Sequence, residues 1–208
     1  MAAFIIIGVI LSPKVGYPNQ GVIEFDKAMS SFIYDSHSNL IDHFMIVLST
    51  YGREIVWVAV IVFMSIFTGW KGKKIAIIIV ISFLIIMPLN TLFKYLFERP
   101  RPSIEVKELD ILPKNDFSYP SGHASIVSGG AAILLILFRK EKELLFSLIL
   151  AGEAALVCIS RIYVGDHFLF DAVGGILLGV GISLLSISFS RYLDPVIVRV
   201  RKYYDKVS

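Results

Sequence analysis

The sequence predicts an all-α fold: a polytopic membrane helix bundle of about six transmembrane helices, the first short or truncated, with an additional interfacial helix. Three observations predict it. The 208 residues are 56% hydrophobic and 18% charged, whereas a soluble domain is about 45–50% apolar and about 25% charged. The apolar residues are gathered into long runs, most of them close to the roughly 20 residues that span hydrocarbon. The basic residues crowd at the ends of these runs, and a net charge of +3 is too small to point to nucleic acid.

Five runs are candidate spans: Ile55–Gly69, Ile75–Phe97, Ser121–Phe138, Leu144–Tyr163 and Phe168–Phe189. The first is on the short side and the other four have spanning length. Ala2–Leu11 is half a span, without the cationic flank and small-residue cleavage site of a signal peptide. It reads as a further span, first in order, shortened or lacking its start. Between Gly16 and Arg53 the pattern changes. Phe25, Met29, Phe32 and Ile33 share one helical face, with Asp26, Lys27 and Ser30 elsewhere, as in a helix lying on the membrane. A second helix starts near Asn39 and leads into the Ile55 run, with Gly52 as a break. Pro88 is expected to kink its span. Ser103–Tyr119 is polar and reads as a loop outside the bilayer. One domain, residues 1–208, accounts for the chain, with its motif-bearing core at about 50–190. Cys158, the single cysteine, cannot form an internal disulfide and reads as packing.

Alternating the loops between two sides puts the Trp70–Lys74 turn, the Arg139–Glu143 turn and the tail from Arg191 on one side, where cations crowd into short segments. The positive-inside rule makes that side cytoplasmic. The Pro13–Glu54 region, the Glu98–Tyr119 loop and the Val164–His167 turn then share the extracytoplasmic side. These carry three motif pieces.

The pieces are Lys94, six residues, Arg101-Pro102; Pro120-Ser121-Gly122-His123; and Ser160-Arg161, five residues, His167, three residues, Asp171. Together they suit a phosphate ester. Lys94 is a compact charge, and Arg101 and Arg161 are planar forks that match phosphate oxygens. Ser121 is a good N-cap ahead of an apolar helix, so Ser121, Gly122 and His123 can offer hydroxyl and backbone donors at a helix start. His167 and Asp171, four residues apart, share a helix face. The carboxylate can fix the imidazole tautomer and leave the other nitrogen free to attack. His123 is placed to protonate the leaving oxygen. No carboxylate cluster of the kind Mg²⁺ prefers is present, so no metal and no cofactor is expected.

These pieces, with the flanking Arg99-Pro100 and Tyr119, resemble the signature of the type 2 phosphatidic acid phosphatase family, which is related to the vanadium haloperoxidases. The resemblance covers about residues 50–190. It implies a six-helix membrane bundle and a metal-independent mechanism with His167 as nucleophile and His123 as acid. It also implies phosphate contacts by Lys94, Arg101, Ser121, Gly122 and Arg161. The short first span is its one departure.

The expected function is an integral, multi-pass phosphatase that hydrolyses a lipid phosphate or isoprenyl diphosphate through a phosphohistidine, with its site extracytoplasmic. The lipid partner is phosphatidate, phosphatidylglycerol phosphate or a polyprenyl diphosphate. The minimal chain favours the last, and no headgroup or oligomer code is readable. The alternatives are a vanadate-dependent haloperoxidase-like oxidase, which the spans disfavour, and an inactive lipid-binding or transport protein, which the intact histidines disfavour. Other polar residues read as structural. Glu153 is a polar contact inside the bundle, on the same helix face as Arg161. Asn90 either orients Lys94 or packs locally. Asp166 either tunes His167 or is solvated, the second reading being favoured, and His37 and His43 carry no chemistry.

Overall fold

In the computed structural model, which describes residues 1–15, 18–102 and 116–207, nine α-helices carry the described chain. They are α1 (Ala2–Leu11), α2 (Gln20–Tyr34), α3 (Asn39–Tyr51), α4 (Glu54–Phe67), α5 (Gly69–Phe97), α6 (Gly122–Leu137), α7 (Glu141–Tyr163), α8 (Leu169–Phe189) and α9 (Asp194–Val207), with a 3₁₀ turn at Ser190–Leu193 before α9. Among the described residues there is no strand. Helices α5 and α7, and α8 with its continuation, are long and apolar enough to cross a bilayer. Helices α3 and α4 form a pair bent by 56° that together reach that length. The break falls at Gly52 and Arg53, as expected. A Cβ on Gly52 would lie 2.7 Å from Val157 of α7, so glycine lets the break press against that helix. Helices α1 and α6 are shorter and apolar. At 1.5 Å per residue, α6 is roughly 24 Å long.

The centre of the bundle is α6 against α8. A Cβ on Gly175 would come within 2.5 Å of the Ser121 carbonyl, and one on Gly179 within 2.1 Å of the Ser125 carbonyl. Small residues therefore let these backbones touch, the packing that stabilises helices where lipid removes the hydrophobic drive between them. Trp57, Ile79, Val127 and Leu134 fill one side of the core. Phe4, Phe97, Tyr119 and Leu178 fill the other. Short as it is, α1 is docked. The Tyr119 hydroxyl donates to the Phe4 carbonyl at 2.7 Å, and Ser12 just beyond α1 donates to the Phe97 carbonyl at 2.7 Å.

Helix α2 carries the expected amphipathic pattern with its polar stripe inward. Asp26 and Ser30 are buried, while Phe25 and Phe32 are exposed. The polar residues pin the helix to the protein and its aromatic face is left to the surroundings, as on an interfacial helix. Pro88 sits inside α5, which stays helical through it. At the end opposite the motif pieces, Lys71 meets Glu143 at 2.7 Å and Lys74 pairs with Asp194. The cation-rich turns and the start of the tail are thereby gathered at one end.

Candidate active site

Helix α5 ends at Glu98, whose left-handed φ of 49° stops the helix. Pro100 and Pro102 prevent its resumption. The Arg99–Pro102 strip therefore turns back over the bundle end, and the Ser118 amide closes it by donating to the Arg99 carbonyl at 2.7 Å. Helix α6 begins beside it. Ser121 is fully buried, and its hydroxyl accepts from the Ala124 amide at 3.5 Å as the cap. Its own amide donates to the Asp171 carbonyl at 2.9 Å, tying this start to that of α8. Asn90 supports the same turn through Pro120 and the Ser125 hydroxyl, at 3.4 and 3.2 Å. The local reading of Asn90 is the one the geometry supports.

These elements surround a cavity of about 310 Å³ lined by Lys94, Arg101, Gly122, His123, Arg161 and His167. Six of the eight sequence-predicted site residues thus meet on one wall system. The other two, Ser121 and Asp171, are fully buried behind it. Apolar residues Ile86, Met87 and Ile126 continue the lining, so a charged pocket opens onto a greasy one.

His167 is held at both nitrogens. Nδ1 lies 3.5 Å from the Asp171 carboxylate and 3.3 Å from the Ser118 hydroxyl. Nε2 lies 3.4 Å from an Arg101 nitrogen on the cavity side. Burial pushes its pKa down to about 3; Asp171 opposes this and the charges of Arg101 and Arg161 add to it. The imidazole is therefore neutral at rest, with a lone pair to offer at Nε2. Asp171 also accepts from the Ser118 hydroxyl, from the Phe168 amide at 2.8 Å and from Arg99 at 2.6 Å. The Phe168 contact is the reciprocal half of a helix cap, which places the carboxylate in the first turn of α8.

Each motif cation has an anionic partner. Lys94 and Arg101 share Asp116, and Arg101 also donates to the Asp166 carbonyl at 2.7 Å. Burial works against the Asp116 charge, but Lys94 and Arg101 outweigh it and hold this carboxyl below the usual range. Arg161 donates to the Ser49 carbonyl at 2.9 Å and pairs with Asp166. Its Nε–H is buried without an acceptor. A buried donor left unsatisfied is costly.

Asp166 corrects the sequence reading: it is buried and ion-paired, not solvated. Arg161 pairs with Asp166, and Glu153, expected to make a polar contact within the bundle, faces the Trp57 indole N–H there without full hydrogen-bond geometry. Sequence reasoning did not assign Asp26, Arg53, Arg99, Asp116 or Ser118 to the site. Only Arg99 carried a signal, as the first arginine of Arg-Pro-Arg-Pro. The Ser103–Asn115 stretch of the polar loop lies outside the described residues.

The sequence profile of the PAP2 superfamily matches residues 73–195, which hold all three pieces. The chain belongs to the PAP2 superfamily. The undecaprenyl-diphosphatase of Sulfolobus acidocaldarius is 39% identical over 186 residues, 88% of this chain and 86% of that protein. The crystal structure of a transmembrane PAP2-type phosphatidylglycerolphosphate phosphatase from Bacillus subtilis has the same fold, with a TM-score of 0.73 at 23% identity and coverage of 92% and 94% of the two chains. LpxE of Aquifex aeolicus superposes with a TM-score of 0.60 at 26% identity, over 78% of this chain and 94% of that one. This PAP2 protein is an integral membrane hydrolase acting on phosphate esters.

Proposed function

We propose that this membrane phosphatase hydrolyses an isoprenyl diphosphate through a phosphohistidine on His167, at the extracytoplasmic face. The observation that carries the mechanism is the polarity of His167: one nitrogen turned to Ser118 and Asp171, the other to the cation-lined cavity. Nε2 attacks the terminal phosphorus. The bond from that phosphorus to the bridging oxygen breaks, and His123 gives that oxygen its proton. Lys94, Arg101 and Arg161 stabilise the charge spread over the equatorial oxygens, where preorganised donors contribute most. Water then attacks the phosphorus on Nε2 and passes a proton to His123. The P–N bond breaks, its electrons return to Nε2, and inorganic phosphate leaves.

The similarity to an undecaprenyl-diphosphatase along most of both chains supports the substrate class. The apolar lining beyond the cations suits a lipid chain. The clustering of cationic turns at the opposite end supports the orientation through the positive-inside rule.

Phosphate release by the purified protein in detergent, from isoprenyl diphosphate, phosphatidate and phosphatidylglycerol phosphate in parallel, tests this reading. Preference for the diphosphate is expected. Preference for a glycerolipid monoester would overturn the substrate, and no release from any lipid would overturn the activity.

A further inference from the structure

Arg53 is a cavity residue that belongs to none of the three motif pieces. It lines the same pocket as Lys94, Arg101, Arg161 and His167. It stands at the break between α3 and α4, and the contacts that place that break also place Arg161. The Arg161 guanidinium donates to the carbonyl of Ser49, in the last turn of α3. Gly52 lets the same bend press on Val157, one turn before Arg161 on α7. The two arginines are therefore positioned by the same bend and line the same cavity.

Two like charges held beside one cavity call for an anion between them. The partners already present leave room for one. Arg161 has a buried partner in Asp166. Among the described residues Arg53 pairs with its neighbour Glu54, and those side chains are 32% and 47% exposed. An ion pair that open to solvent contributes little and gives way easily to a ligand. Lys94, Arg101 and Arg161 are enough for the dianion of one phosphoryl group. A diphosphate ester brings a second phosphoryl group and further negative charge.

We propose that Arg53 is a specificity-determining residue that binds the lipid-side phosphoryl group of a diphosphate substrate while the terminal phosphoryl group sits at His167. This deepens the reading of the site as an isoprenyl diphosphatase and rests on it. The bond broken is the one between the terminal phosphorus and the bridging oxygen. Arg53 therefore holds the product, a lipid monophosphate, as that oxygen takes its proton from His123.

The test compares one isoprenyl chain as its diphosphate and as its monophosphate, in wild type, Arg53→Gln and Arg53→Lys. The ratio of kcat/KM for diphosphate over monophosphate should fall about tenfold or more in Arg53→Gln, the loss expected for one charge-assisted contact. Arg53→Lys should recover part of the ratio. An unchanged ratio, whether both substrates suffer equally or neither does, overturns the assignment. If the Arg53 variants do not fold, Glu54→Gln serves instead. It frees Arg53, so KM should fall for the diphosphate more than for the monophosphate, and equal shifts would overturn the proposal. The wild-type arm separates the two readings: a wild type that fails on diphosphate sinks the substrate reading, whereas an active wild type with an unmoved ratio sinks only the role of Arg53.

Discussion

Asp26 on α2 and Asp171 on α8 share one guanidinium. Arg99 donates through one terminal nitrogen to Asp171 at 2.6 Å and through the other to Asp26, and all three side chains are at most 5% exposed. The Phe168 ring lies 4.3 Å from the same guanidinium, and Asp26 also accepts from the Phe170 amide at 2.9 Å. Burial disfavours the Arg99 charge, but the two carboxylates more than offset this and raise its pKa above the ordinary value. The interfacial helix is thus part of the scaffold that aims the carboxylate behind His167.

Breaking this triad from its far end should reach the chemistry. Removing one partner of a buried ion pair costs about 3–5 kcal/mol. Asp26→Ala should therefore lower thermal stability in detergent clearly. Asp26→Asn keeps a hydrogen-bonding shape but loses the charge, and should cut kcat about tenfold or more with KM little changed, the signature of a misdirected dyad. Arg99→Lys should lose more, because a point charge cannot bridge two carboxylates as a planar fork does. Steady-state kinetics on all three variants checks this, and a pure KM effect would contradict it.

Asp116 occupies the cations proposed to hold the phosphate. Its carboxylate pairs with both Lys94 and Arg101 and is nearly half exposed. Asp116→Asn should remove this competitor, so the inhibition constant for vanadate or inorganic phosphate should fall several-fold. Weaker inhibition would mean that Asp116 instead positions those cations.

The depressed pKa of His167 has a pH signature. A histidine neutral in the folded state at about 3 but titrating near 6.5 when unfolded contributes stability that is fully present above about 6.5. That contribution is lost as pH falls from there toward 3. Thermal unfolding should therefore worsen from pH 7 to pH 4.5 in wild type more than in His167→Asn. Equal pH slopes would show that His167 is not buried as the neutral base.

Orientation is open to labelling. Single cysteines at Ser36, Lys140 and Lys202 in a Cys158→Ala background, treated with an impermeant thiol reagent on intact cells, should react at position 36 only. Labelling at 140 and 202 instead would invert the topology and put the site on the cytoplasmic leaflet.

Much of this was legible in the sequence, for physical reasons. Pro120 and Gly122 mark where α6 begins and the polar Asp166-His167 pair precedes α8, so those boundaries agree with the structure to within a residue. Helix α5 starts earlier than its apolar run, at Gly69 and not Ile75. Hydropathy sees the part in lipid, whereas the backbone stays helical through Trp70–Lys74. The motif residues could be gathered because counting spans puts them at one end. The Asp26–Arg99–Asp171 link and the place of Arg53 could not be read that way. Each depends on which face of a helix meets a residue far off in the chain. The amphipathic pattern of α2 identified a helix but not that its polar side, including Asp26, turns inward.

The proposed chemistry turns on His167 as the nucleophile. The most direct measurement is rapid quench with substrate labelled in its terminal phosphate, followed by mapping of the labelled peptide under alkaline conditions, where phosphohistidine survives. Label is expected on His167 in wild type, accumulating in His123→Ala and absent in His167→Asn. Turnover by His167→Asn, or label on any other side chain, would contradict it.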